Sequence, residues 1–167
     1  MTDGDPGLYK VPKEKSLVLV KLPPTAPEWK TVFISSCAET HRGRETVSDL
    51  FNTPRMFLPL LDDQEGIVLV RRSAIRWVRV EDPERFEWYY YEVRQGAPRS
   101  TVRCSFEDGE VLEGTFYAVG PAGEQRVQDV VNRQEGFVQL ETGAGLFLVN
   151  LVHATALTVR EEEHGGA

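Results

Sequence analysis

Six arginines have the clearest chemical capacity in this sequence. Arg42 and Arg44 flank Gly43, and Arg71, Arg72, Arg76 and Arg79 crowd one short stretch. A guanidinium presents a planar fork of N–H donors, so such a group suits a phosphate, a nucleotide or RNA. On an unbroken strand Arg72 and Arg76 share one face, and Arg71 and Arg79 the other. The competing expectation is solvated arginines paired with neighbouring Asp and Glu. The formal net charge of -7 and the pI near 5.1 favour it and argue against nucleic acid as partner of the whole chain. The end of that arginine stretch is nonetheless locally basic. Trp88 and Tyr90 stand in an aromatic run from Phe86 to Tyr91 and are candidate contacts for a protein surface.

Catalytic chemistry has little to work with. The histidines are His41, His153 and His164, the last in a tail that reads as frayed. Cys37 and Cys104 fall at strand positions and read as small buried thiols, too few for a disulfide framework. No nucleophile elbow, phosphate loop, dinucleotide fingerprint or paired-cysteine zinc pattern occurs. The expectation is a non-enzymatic chain with no catalytic, cofactor or metal residues.

The polar residues that recur point elsewhere. Asp49 and Asn52 return as Asp129 and Asn132, at an offset of 80. Around them, Gly43 to Asn52 matches Gly123 to Asn132, and Phe57 and Leu60 match Phe137 and Leu140. After one deletion, Gly66 to Val70 matches Gly145 to Val149 at an offset of 79. Two blocks in the same order indicate an internal duplication. Asp and Asn three residues apart suit a helical turn, with Asp capping the start and Asn tolerating a left-handed exit. The functional alternative is a polar ligand contact.

The elements that carry these residues read as short strands. Ser100 to Phe106 alternates with period 2, Asp108-Gly109 marks a hairpin, and Val111 to Val119 resumes the strand. Gly114 within it predicts a sharp bend or bulge. Phe137 to Glu141, Leu146 to Leu151 and His153 to Val159 give three more strands, with Val127 to Asn132 a short connection. In the first copy Thr31 to Cys37 is a strand, but no bent partner follows it. Ser16 to Leu22 or Phe86 to Val93 is expected to supply the missing strand. Pro23-Pro24-Thr25-Ala26-Pro27 reads as a stiff, extended spacer.

Five short strands with a bent second one describe a small barrel. Phe106 to Phe116, with its turn glycine and bend glycine, resembles the first strands of Sm-like proteins. Gly145 to Leu157, and Gly66 to Ile75 in the first copy, resemble the second Sm block. Sm proteins carry Arg-Gly or Asn-Gly after the fourth strand, where this chain has Arg71-Arg72 and Asn150-Leu151. Arg44 to Asn52 followed by Phe57 to Leu60 is also similar to a motif of small, uncharacterised bacterial proteins, a resemblance that brings no activity with it.

The expected fold is mainly β: two tandem SH3-like or Sm-like barrels, with room for one strand contributed by the N-terminal arm or the connector. Residues 1–15 form a flexible tail, 16–80 the first copy, 81–99 the aromatic connector, 100–160 the second copy and 161–167 a disordered tail. The aromatic run either stitches two cores together or offers one side to a partner. No leader and no apolar run of about 20 residues is present, so a cytoplasmic chain without membrane insertion is expected. The expected function is a scaffold or adaptor module that self-associates. The alternative is a regulator that takes RNA or an anionic nucleotide at the Arg-rich end of the first copy.

Overall fold

The computed structural model describes residues 13–161. β1 (Lys13–Lys21) buries Ser16, Val18 and Val20 and alternates as a half-covered strand must. It turns through Pro23 to Pro27 into β2 (Glu28–Ser35). α1 (Val47–Phe51) follows, then β3 (Phe57–Asp62), β4 (Gly66–Arg71), a 3-10 turn (Arg72–Ala74) and β5 (Trp77–Val80). Two short helices come next, α2 (Pro83–Phe86) and α3 (Trp88–Val93). The remainder is β6 (Arg99–Phe106), β7 (Val111–Tyr117), α4 (Val127–Arg133), β8 (Phe137–Thr142), β9 (Gly145–Asn150), a 3-10 turn (Leu151–His153) and β10 (Ala154–Glu161).

The chain is mainly β, and its strands form one open antiparallel sheet of ten. Their order is β10-β6-β7-β8-β9-β5-β1-β2-β3-β4. Strands β1–β5 and β6–β10 have the same order and the same registers. Thr31 faces Leu17 on one side and Leu61 on the other, as Thr115 faces Thr101 and Glu141. Val18 faces Val80 as Val102 faces Val159. One core gathers Val18, Val32, Ile34, Phe51, Leu58, Leu60 and Val78, and the other Val102, Cys104, Phe116, Val138, Leu140 and Phe147.

Several expectations need correction. The missing strand of the first copy is β1, which includes Ser16 to Lys21. Phe86 to Val93 is helical, so the aromatic connector donates no strand. The proline-rich segment is a hairpin turn and not an extended spacer, closed by Thr25 N–H donating to Leu22 O at 2.9 Å. Val127 to Asn132 is a helix. The 3-10 turn after β4 breaks the phase on which the arginine faces depend. Cys37 is exposed. Cys104 is buried, and burial pushes its thiol up to about 11. Lys13 to Lys15, assigned to the tail, lie in β1; the other tail residues, apart from Glu161 in β10, lie outside the described residues.

Gly109 adopts φ +88 in the β6–β7 hairpin, where Gly109 N–H donates to Phe106 O at 3.0 Å. Gly114 has a different reason. A Cβ there would lie 2.2 Å from the carbonyl oxygen of Glu141, so β7 and β8 approach too closely for any side chain. Gly114→Ala is expected to lose about 1–3 kcal/mol, read from the urea midpoint. An unchanged midpoint would disprove the close approach. Lys30 holds the equivalent place in β2, buried and paired with Glu28 and Asp62.

Candidate interaction site

The arginines divide. Arg76 is buried, and its Nη1 donates to both oxygens of Asp108 at 3.0 and 2.9 Å and to Glu110 at 3.2 Å. Arg76 thus pairs with acidic side chains as expected but is buried and not solvated, and it ties the start of β5 to the β6–β7 turn. Arg71 lies over the Phe57 ring at 4.8 Å. Arg44 pairs with Glu14, while Arg42 is exposed in the loop before α1.

The repeated polar pair is structural, but its two copies differ. Asp49 caps α1 by accepting from Thr46 N–H at 2.8 Å, and it also accepts from His41 at 2.7 Å and Thr40 at 3.1 Å. Asp129 caps α4 through Arg126 N–H at 3.1 Å. Asn52 takes no left-handed exit, since its φ is -93. Instead it grips the other half: its Nδ2 donates to Phe137 O at 3.1 Å, and its Oδ1 accepts from Phe137 N–H at 2.8 Å. Asn132 bonds locally, donating to Gln128 O at 2.8 Å.

The connector fastens both halves. Trp88 donates to Arg44 O at 3.1 Å, against Gly43 at φ +124, and His41 stacks on Tyr89 at 4.2 Å. Tyr90 is buried and donates to Glu141 at 2.9 Å. Arg94 pairs with the same carboxylate. Between these contacts lies a cleft of about 260 Å³, lined by Ser48, Asn52, Glu87, Tyr89, Tyr117 and Gln139 among others. Glu87 at its wall is fully buried. It accepts from Ser48 N–H and from Ser48 Oγ at 2.6 Å, while Gln139 donates to Ser48 Oγ at 2.8 Å. Burial pushes Glu87 up to about 7. Sequence reasoning passed over Glu87, whose only signal was a charge inside an aromatic run.

The halves join through strands. β5 pairs with β9, with Trp77 opposite Val149, Val78 opposite Leu148 and Arg79 opposite Phe147. Side chains cross the joint in both directions. Leu148 and Phe137 enter the first half's core, where Phe137 meets Phe51 at 5.5 Å between ring centroids. Trp77 enters the second half's core and packs on Phe147 at 4.9 Å. Asn150 Nδ2 donates to Ile75 O at 2.9 Å, and His153 bonds Ser73 O at 2.6 Å.

The same strands at the outer ends are open. β4 pairs with β3 alone and β10 with β6 alone among the described residues. Phe137 is 1% exposed, but its counterpart Phe57 is 42% exposed. Leu148 is 1% exposed, but its counterpart Leu69 is 64% exposed, and Ile67 is bare where Leu146 is buried. Beside β10 lies an apolar groove of about 280 Å³ lined by Val131, Leu151, Ala154, Ala156 and Leu157, with Thr155. Comparison with family models, with curated proteins and with solved structures finds no match to this chain. Among the described residues no helix is long and apolar enough to cross a membrane.

Proposed function

We propose that this chain is a non-enzymatic scaffold or adaptor module. In this reading it is a duplicated pair of small SH3-like or Sm-like barrels fused into one sheet, whose outer strands bind further chains, copies of itself foremost. The repeated element order and registers support the duplication. One observation carries the function: among the described residues the sheet ends in an open strand, β4, that displays Ile67 and Leu69 with Phe57 beside them. Edge strands are normally blunted by Lys, Pro or a cover, because unpaired N–H and C=O groups invite another strand. β4 has neither Lys nor Pro, its one charge, Arg71, stands at its end over the Phe57 ring, and Ile67 and Leu69 make the rest of its exposed face apolar, as interaction surfaces are.

Light scattering over a wide concentration range tests this. The mass should rise above the 18.9 kDa of one chain. A monomer at every concentration that also captures no protein partner would sink the reading. The alternative, an RNA or nucleotide site at the Arg-rich end, loses Arg76 to its carboxylates, while Arg71, over the Phe57 ring, stays exposed. Salt-dependent nucleotide binding abolished by Arg71→Ala with Arg72→Ala would install it instead.

A further inference from the structure

We propose that copies of this chain associate head to tail, with β4 of one pairing with β10 of the next in the register that β9 and β5 use inside the chain. The inference rests on the self-association reading above and gives it a specific contact. β4 stands to β9, and β10 to β5, at the same offset of 79, so the pairing that joins the halves has an unused duplicate at the outer edges.

Carrying the internal register over sets Val70 opposite Ala156, Leu69 opposite Leu157 and Val68 opposite Thr158. The next pair is Ile67 with Val159, both exposed hydrophobics now. Leu69 would enter the neighbour's core beside Leu157, as Leu148 enters beside Val78. Phe57 would approach Val131 in the apolar groove, as Phe137 approaches Phe51. Charge agrees as well. Arg160 on β10 falls opposite Gly66, next to the acidic turn that holds Asp63 and Glu65.

The outer contact is the weaker of the two. Met56 stands where the internal joint has Gly136, at φ +117, whose absent Cβ makes room for Asn52. Arg71 stands where it has Asn150, which clamps Ile75. The side-chain clamps are therefore not duplicated, and strand pairing with apolar insertion holds the contact alone. It is heterologous, so it closes as a ring or grows as a filament according to the rotation between neighbours.

Two variants of the full chain test the polarity. Ile67→Lys with Leu69→Lys blocks β4, and Ala156→Lys with Thr158→Lys blocks β10; all four positions are exposed, so folding is spared. Circular dichroism confirms the fold of each. Each variant alone should lose all association and run at the mass of one chain, and an equimolar mixture should stop at twice that mass. A blocked variant that still associates alone, or a mixture that stays monomeric, overturns the head-to-tail contact. Wild-type association persisting beside either result leaves the broader reading intact. A wild type that never associates removes the contact and the self-association on which it rests, and capture of a different protein partner then decides the scaffold reading.

Discussion

Phe137→Ala is expected to lose about 3–5 kcal/mol of stability, whereas Phe57→Ala loses about 1 kcal/mol or less. The two residues hold equivalent places in their halves, and both begin a strand. Phe137 is buried against Phe51 in the core of the half to which it does not belong. Truncation there leaves a cavity bounded by rigid strands, and the cavity adds to the lost transfer energy. Phe57 loses an exposed ring and its contact with Arg71, a cation–π pair of about 0.5–1 kcal/mol. Urea unfolding of both variants, at a concentration low enough to keep the chain monomeric, measures the difference. Equal losses would show that the β5–β9 joint is not where the first half's core is completed. Because side chains cross that joint both ways, the Phe137→Ala loss should move a single transition rather than split it.

The second large effect belongs to Glu87. Its carboxyl is raised from 4.5 to about 7 in the folded chain by burial, against the opposing pull of the Ser48 donors. The folded state therefore holds the proton more tightly than the unfolded state. Below about pH 4.5 both states are protonated and this group costs nothing. Between about pH 4.5 and 7 the unfolded state ionises first and stability falls, reaching a plateau above. Each pKa unit is worth about 1.4 kcal/mol, so the fall is about 3 kcal/mol. Glu87→Gln keeps an acceptor for Ser48 N–H and reverses the second bond, so that the amide N–H donates to the Ser48 Oγ that donates to the carboxylate in the wild type. It should abolish the slope, leaving the variant more stable than the wild type at pH 8. Midpoints of thermal unfolding from pH 4 to 8 read the effect. A wild-type slope that persists unchanged in the variant would assign it to another group.

Local chemistry was legible in the sequence, and long-range placement was not. The capping role of Asp49 and Asp129 was legible because each accepts from the backbone N–H three residues before it, a bond that closes within one turn. The hairpin at Asp108-Gly109 follows from the need for positive φ. Ser16 to Leu22 was legible as a candidate strand, and its residues Ser16 to Lys21 lie in β1. The connector misled because consecutive aromatics carry high strand propensity, yet docking Trp88 against Gly43 and Tyr90 against Glu141 holds them in a helix. Arg76 looked solvated because its partners, Asp108 and Glu110, lie more than thirty residues away in sequence. The difference between Phe57 and Phe137 had no signal at all. Equivalent residues in two copies read alike, and only which edge is occupied separates them.

That occupied edge also sets the order in which the chain completes itself during synthesis. The first half leaves the ribosome with all five of its strands, but its core lacks Phe137 and Leu148 and its β5 edge lacks β9. Until residue 150 has emerged, the nascent chain presents β5 and β4 as open strands at once. The correct partner for β5 arrives on the same molecule, more than sixty residues later. On a polysome, where neighbouring copies are crowded and stand at different stages, β9 of a chain further along has the same sequence as the tethered one and would fit β5 as well. Exchange of β9 between two chains is therefore the misassembly that competes with closing this joint within one chain.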